Sequence, residues 1–248
     1  MTLGGATLMI GIALRAVAYS LIPLAAAAIG GTLAVARPPG PRVRSAVQHF
    51  AAGVVFAAAA IEVLPEVMRH TPRVAIIGFT IGIALMLAVR WLAQRAERRG
   101  GADATGLIAV TGVDLLVDGL VLGAGFAAGG QTGILLTIAL ALEFLFVGLA
   151  VAAALAGRAS WPRVVAAPVG LALLATLGAG VGALVLGSAP SGVLGTVLAI
   201  GAVALMYLVT EELLVEAHES GETATGTALF FVGFLVYLLI EEFARGGA

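Results

Sequence analysis

"VDLLVDGLVLGAGFAAGGQTGILLTIALALEFLFVG", Val113 to Gly148, holds no lysine, arginine or histidine. Its only charged residues are Asp114, Asp118 and Glu143. An apolar helix of about 20 residues crosses the roughly 30 Å hydrocarbon core of a bilayer. The glycine-rich break "AAGGQTG" separates two such lengths, so the stretch reads as a hairpin of two membrane spans. Carboxylates inside a span are costly, by about 2.5–3.5 kcal/mol each at the bilayer centre on insertion scales. The arrangement raises the question of what these three groups hold.

The rest of the chain has the same character. Hydrophobic residues make up 61% of its 248 residues, charged residues only 11%, and the mean hydropathy is +1.12. A soluble domain is usually about one quarter charged. Apolar stretches fall at about 7–35, 46–68, 72–94, 105–127, 131–156, 163–187, 191–217 and 224–243. These predict eight transmembrane helices in a single all-α, polytopic membrane domain over 1–248. Gly78/Gly82, Gly119/Gly123 and Gly178/Gly182 carry the spacing that lets helix backbones approach closely in lipid.

Composition also excludes chemistry. There is no cysteine, which rules out disulfides and thiolate metal sites. All 13 basic residues are arginine, so no Schiff-base or phosphate-loop lysine exists. No basic patch suits nucleic acid. No His-Glu-x-x-His, Ser/His pair or glycine-rich phosphate loop is present, and an enzyme is not expected.

Arginine sets the expected orientation. With the N-terminus outside, nine arginines (Arg37, Arg42, Arg44, Arg90, Arg95, Arg98, Arg99, Arg158 and Arg163) fall in the inner breaks. Three, Arg69, Arg73 and Arg245, fall on the other side. The positive-inside rule then places both termini outside, in a bacterial-type plasma membrane. Trp91 and Trp161 lie at the inner interface, where indoles anchor.

Asp114 and Asp118 are four residues apart and share one helix face. Measured from the turn at Gly129–Gly130, Asp118 and Glu143 lie at comparable depth, so three acidic groups converge at mid-membrane. Without a basic partner they either bind a cation or share protons. A divalent ion would supply the charge and accept oxygen ligands. A protonated, hydrogen-bonded cluster that only fixes helix packing is the competing reading.

Two further acidic pairs have matching spacing. Span 2 ends "IEVLPEVMRH", with Glu62 and Glu66; span 7 ends "TEELLVEAHE", with Glu212 and Glu216 at the same spacing and Glu211 just before them. The first pair falls near the outer face and the second near the inner face. Spans 1–3 and 6–8 would then form an inverted repeat around the 4–5 hairpin, a 3+2+3 plan common in transporters. His70 follows Glu66 and His218 follows Glu216, and neutral imidazole is a ready metal ligand. His49 opens span 2 at the inner face. A solvated helix end is the alternative for each mouth, and Glu241 and Glu242 read as such an end.

With these residues on the page, the chain resembles the ZIP (Zrt/Irt-like) family of divalent metal transporters. "HFAAGVVFAAAAIEVLPE" is similar to that family's second span. "LMYLVTEELLVEAHE" is similar to its seventh, which usually carries an acidic-Glu-Leu-Leu-Pro-Glu-Ala-His run. The family's metal site lies on His-Asn-x-Pro-Glu-Gly and His-x-x-Pro-Glu-Gly motifs in spans 4 and 5. Here these read "DLLVDG" and "EFLFVG". Asp114 stands at the first histidine, Leu115 at the asparagine, Val117 at the proline and Asp118 at the glutamate. Glu143 stands at the second histidine, Phe146 at the proline and Val147 at the glutamate.

The resemblance implies a transporter, expected as a homodimer in membrane lipid, that moves a divalent ion (zinc, manganese, iron or cadmium) towards the cytoplasm. Its binuclear centre is reduced to one site at Asp114, Asp118 and Glu143. Glu62 and Glu66 would gather ions outside; Glu211 or Glu212, Glu216 and His218 would receive them inside. An all-oxygen site favours harder ions such as Mn²⁺ over a nitrogen-rich zinc site. Absent prolines predict straighter spans 4 and 5. A degenerate, non-transporting member acting as scaffold or sensor is the alternative.

Overall fold

The computed structural model describes residues 3–98, 104–157, 159–218 and 224–246. Among these residues it is entirely helical. We number the eight membrane-length helices in chain order. They are α1 (Leu3–Ala36), α2 (Pro41–Met68), α3 (Pro72–Arg98), α4 (Ala104–Ala128), α5 (Gly130–Leu155), α6 (Trp161–Leu186), α7 (Ser191–Leu208 continued by Val209–Leu213 and Leu214–His218) and α8 (Ala224–Gly246). By length and composition all eight can cross a membrane, the character of an integral membrane protein.

Local sequence explains several boundaries. Pro41 and Pro72 open α2 and α3, and Pro162 sits in the first turn of α6, where a missing N–H costs nothing. Gly129 alone joins α4 to α5, in extended conformation. Its N–H donates to the Gly125 carbonyl at 2.9 Å, and its own carbonyl accepts from Gly133 at 3.1 Å. The hairpin is therefore as tight as the break "AAGGQTG" suggests. Neither α4 nor α5 is interrupted along its length, in keeping with the lost prolines.

Two helices do change pitch. α2 widens into a π-turn at Ala59–Val63 and α7 into another at Val209–Leu213. Each follows an α-helical segment of 18 residues. In α2, Leu64 donates back to the Ala59 carbonyl, five residues away. Pro65 has no N–H to offer Ile61, which removes one regular bond at this point. α7 has Val215 at the matching place and makes the same turn, with Leu214 donating to Val209. Single π-turns inside α-helices often mark functional positions.

α2, α4, α5 and α7 are half buried or more along their apolar windows, whereas α3 and α8 are less than one-fifth buried. The first four form the centre and the last two lie at the periphery with rows of exposed aliphatic side chains. α1 packs on α5 and α6, α4 on α6 and α5, α2 on α8, and α3 on α7. Glycine permits the tightest crossings. A Cβ on Gly119 would overlap the Ala175 carbonyl, and one on Gly148 the Ala27 carbonyl. Gly119/Gly123 of α4 meet Gly178/Gly182 of α6, and Gly78/Gly82 of α3 meet α7. All three spaced glycine pairs thus serve helix packing. Trp91 and Trp161 are both exposed, with the Arg95 guanidinium 4.8 Å from the Trp91 ring centre.

Candidate metal centre

The hairpin places its three acids together. One carboxylate oxygen from each of Asp114, Asp118 and Glu143 lies within 4.8 Å of the others. Asp118 is 3% exposed, Glu143 is fully buried and Asp114 is half-buried. Asp118 and Glu143 sit side by side. No donor from elsewhere among the described residues reaches Asp118 Oδ2 or either Glu143 oxygen.

Their surroundings sharpen the problem. The charged groups that act on the three are one another and Glu212, all acidic. Glu212 belongs to the π-turn of α7. At an effective dielectric of about 20, two like charges 4.8 Å apart repel by about 3.5 kcal/mol. Three ionised carboxylates at this spacing would carry about 10 kcal/mol of mutual repulsion. Protons or a cation must offset it. Trans ligands lie about 4.2 Å apart around Mg²⁺ and about 4.6–5.2 Å apart around Ca²⁺. A spread of up to 4.8 Å is therefore close enough for the three oxygens to share one divalent ion.

Apart from Glu212, which acts on it through its charge, the mouth residues do not join this group. At the end of α2, Glu66 pairs with Arg69 at 3.0 Å. The His70 Nδ1 faces the Glu66 backbone carbonyl at 3.0 Å, and its ring rests on Gly195 of α7. Glu62 turns the other way, towards α8. It is 6% exposed, and the Arg245 Nη2 lies 3.9 Å from its Oε1. Arg245 Nε also pairs with Glu241, which is buried, while Glu242 is exposed. Reading Glu241 as a solvated helix end is therefore incorrect. The signal was available: Tyr237, Glu241 and Arg245 follow one another at four-residue steps along one helix face.

Towards the end of α7, the Arg90 guanidinium of α3 donates to Glu211. It also hydrogen-bonds Tyr207, one turn before Glu211. Glu211 and Glu212 are exposed, and the side chain of Glu216 lies outside the described residues. His218 meets His49 edge to face, with ring centres 5.0 Å apart. His49 is 2% exposed, and its Nδ1 lies 2.8 Å from the Ser45 carbonyl. The Ser45 hydroxyl donates to the Ala217 carbonyl at 2.6 Å, tying the start of α2 to the end of α7. The pairing of His49 with His218 is invisible in a sequence that separates them by most of the chain.

A scan against protein-family models finds no match for this chain, and a search of curated proteins finds none. The functional reading therefore rests on the residues and their geometry.

Proposed function

We propose that the chain is a ZIP-like transporter that moves a divalent cation across the membrane towards the cytoplasm. The observation that carries this reading is the meeting of Asp114, Asp118 and Glu143 within 4.8 Å, buried between membrane-length helices with only acidic charges around them. Buried carboxylates without a basic partner are a cation site in waiting. Oxygen-only ligation removes the nitrogen ligands that suit Zn²⁺ and widens the candidates to Mn²⁺, Fe²⁺ and similarly hard ions, although affinity order still lets Zn²⁺ bind. Glu212 adds a fourth negative group on the cytoplasmic side and would draw the ion inward.

An inverted repeat supports alternating access. The packing of the helices keeps its pattern when α1 is exchanged for α6, α2 for α7, α3 for α8 and α4 for α5. The two π-turns are exchanged by the same operation. Repeats of this kind rock against each other around a site at their interface. In that cycle Glu62 and Glu66 meet the ion outside, and Glu211, Glu212, Glu216 and His218 release it inside.

The direct test is flux into liposomes containing only this protein. Mn²⁺ or Cd²⁺ should accumulate, and Asp118→Asn combined with Glu143→Gln should abolish accumulation. Flux that is unchanged in the double variant would overturn the assignment. Absence of flux with every ion tried, in protein that still binds one, would favour the scaffold or sensor alternative.

A further inference from the structure

At the outer end of the helix bundle lies a second acidic pocket, distinct from the hairpin site. Glu62 of α2 and Glu241 of α8 are 6% and 5% exposed. Glu62 Oε1 is buried and makes no hydrogen bond, and Glu241 Oε1 is the oxygen that Arg245 Nε contacts. The Thr132 hydroxyl at the start of α5 hydrogen-bonds Glu62. The Tyr237 hydroxyl is fully buried, has no partner, and lies within electrostatic reach of both carboxylates. Burying a phenol without a partner is costly. A cation held by the two carboxylates would offset that cost if it took the phenol oxygen as a ligand.

The pocket already holds a cation of its own. Arg245 reaches Glu241 through Nε and approaches Glu62 through Nη2 at 3.9 Å, while its side chain is 58% exposed. The guanidinium therefore enters from the solvent side and is free to leave by the same route. It is also a mismatched occupant. Two carboxylates carry two negative charges and Arg245 supplies one positive charge. The Glu62 contact is longer than a hydrogen bond, which is at most about 3.2 Å. A divalent ion would balance both charges.

We propose that Glu62, Glu241 and Tyr237 form an outer binding site for a hard divalent cation, and that Arg245 is a tethered counter-ion that competes with the ion for it. Oxygen-only ligation again selects an ion of the Mn²⁺, Mg²⁺ or Ca²⁺ type. Thr132 lies on the same helix as Glu143, eleven residues earlier, so the pocket stands about 16 Å outward of the central carboxylates along α5. The role of the pocket as the first station of a path rests on the transport reading; its ability to bind an ion does not.

The experiment separates the two. Mn²⁺ binding to the full-length chain is measured by calorimetry in the Asp118→Asn/Glu143→Gln background, where the central site is removed. Adding Arg245→Gln should raise the stoichiometry from none to one ion per chain. Adding Glu241→Gln as well should return it to none, and Arg245→Lys in place of Arg245→Gln should leave it at none, since the tethered charge persists. An unchanged stoichiometry with Arg245→Gln would overturn the proposal, whatever the central site does. Should that variant not be recovered folded in Na⁺ buffer, its recovery in buffer with Mn²⁺ would report the same site through stability. Failure in both buffers would count against it.

Discussion

At the level of single residues, the central site is three carboxylates whose charged neighbours are all acidic. Ion and proton compete for the same oxygens. Mn²⁺ affinity should therefore fall steadily as pH is lowered, and calorimetry over a pH series would check it; affinity independent of pH would contradict a carboxylate site. Glu212→Gln should weaken Mn²⁺ binding only a few-fold, on the order of 1 kcal/mol, because Glu212 acts through its charge from the next helix. The four-residue spacing of Asp114 and Asp118, and the depth match with Glu143, were legible in the sequence because helical geometry fixes both. The reach of Glu212 to that group was not, since it depends on which way a π-turn aims its side chains. The outer pocket was also missed. Its acids come from α2 and α8, whose pairing no local pattern declares.

At the level of elements, span boundaries were readable to within a few residues, because apolar length and proline or glycine breaks are local signals. Helix pairing was only partly readable. The spaced glycines announced close contacts without naming their partners. α4 and α6 meet where Gly119 faces the Ala175 backbone, so Gly119→Ala must push the helices apart. Overpacking of this kind costs about 1–3 kcal/mol. A lowered thermal-unfolding midpoint in detergent should follow. Gly170, also in α6, has open space where a Cβ would sit, and Gly170→Ala should leave the midpoint unchanged or slightly raised. Equal losses in the two variants would mean that the glycines act through helix propensity and not through contact. The π-turns were not foreseen. Pro65 gives a local reason for the first, but nothing in the side chains of α7 accounts for the second.

At the level of the whole molecule, the arginine distribution predicts an orientation that can be tested directly. The chain has no cysteine, so single cysteines can be introduced without a background. Ser188 and Gly40 are both exposed, in the α6–α7 and α1–α2 connections. Ser188→Cys should react with a membrane-impermeant maleimide in intact cells, and Gly40→Cys only after lysis. The reverse pattern would invert the molecule and exchange the roles given to its two mouths. The account as a whole depends on one claim, that the buried carboxylates of α4 and α5 hold a metal ion. Calorimetry of the purified protein with Mn²⁺, Zn²⁺, Cd²⁺ and Mg²⁺, alongside Asp118→Asn/Glu143→Gln, tests it most directly. The account predicts one ion per chain at the central site, with binding lost in the double variant. No binding of any of these ions to the unaltered chain would mean that the three carboxylates are held by protons, and the central claim would fail.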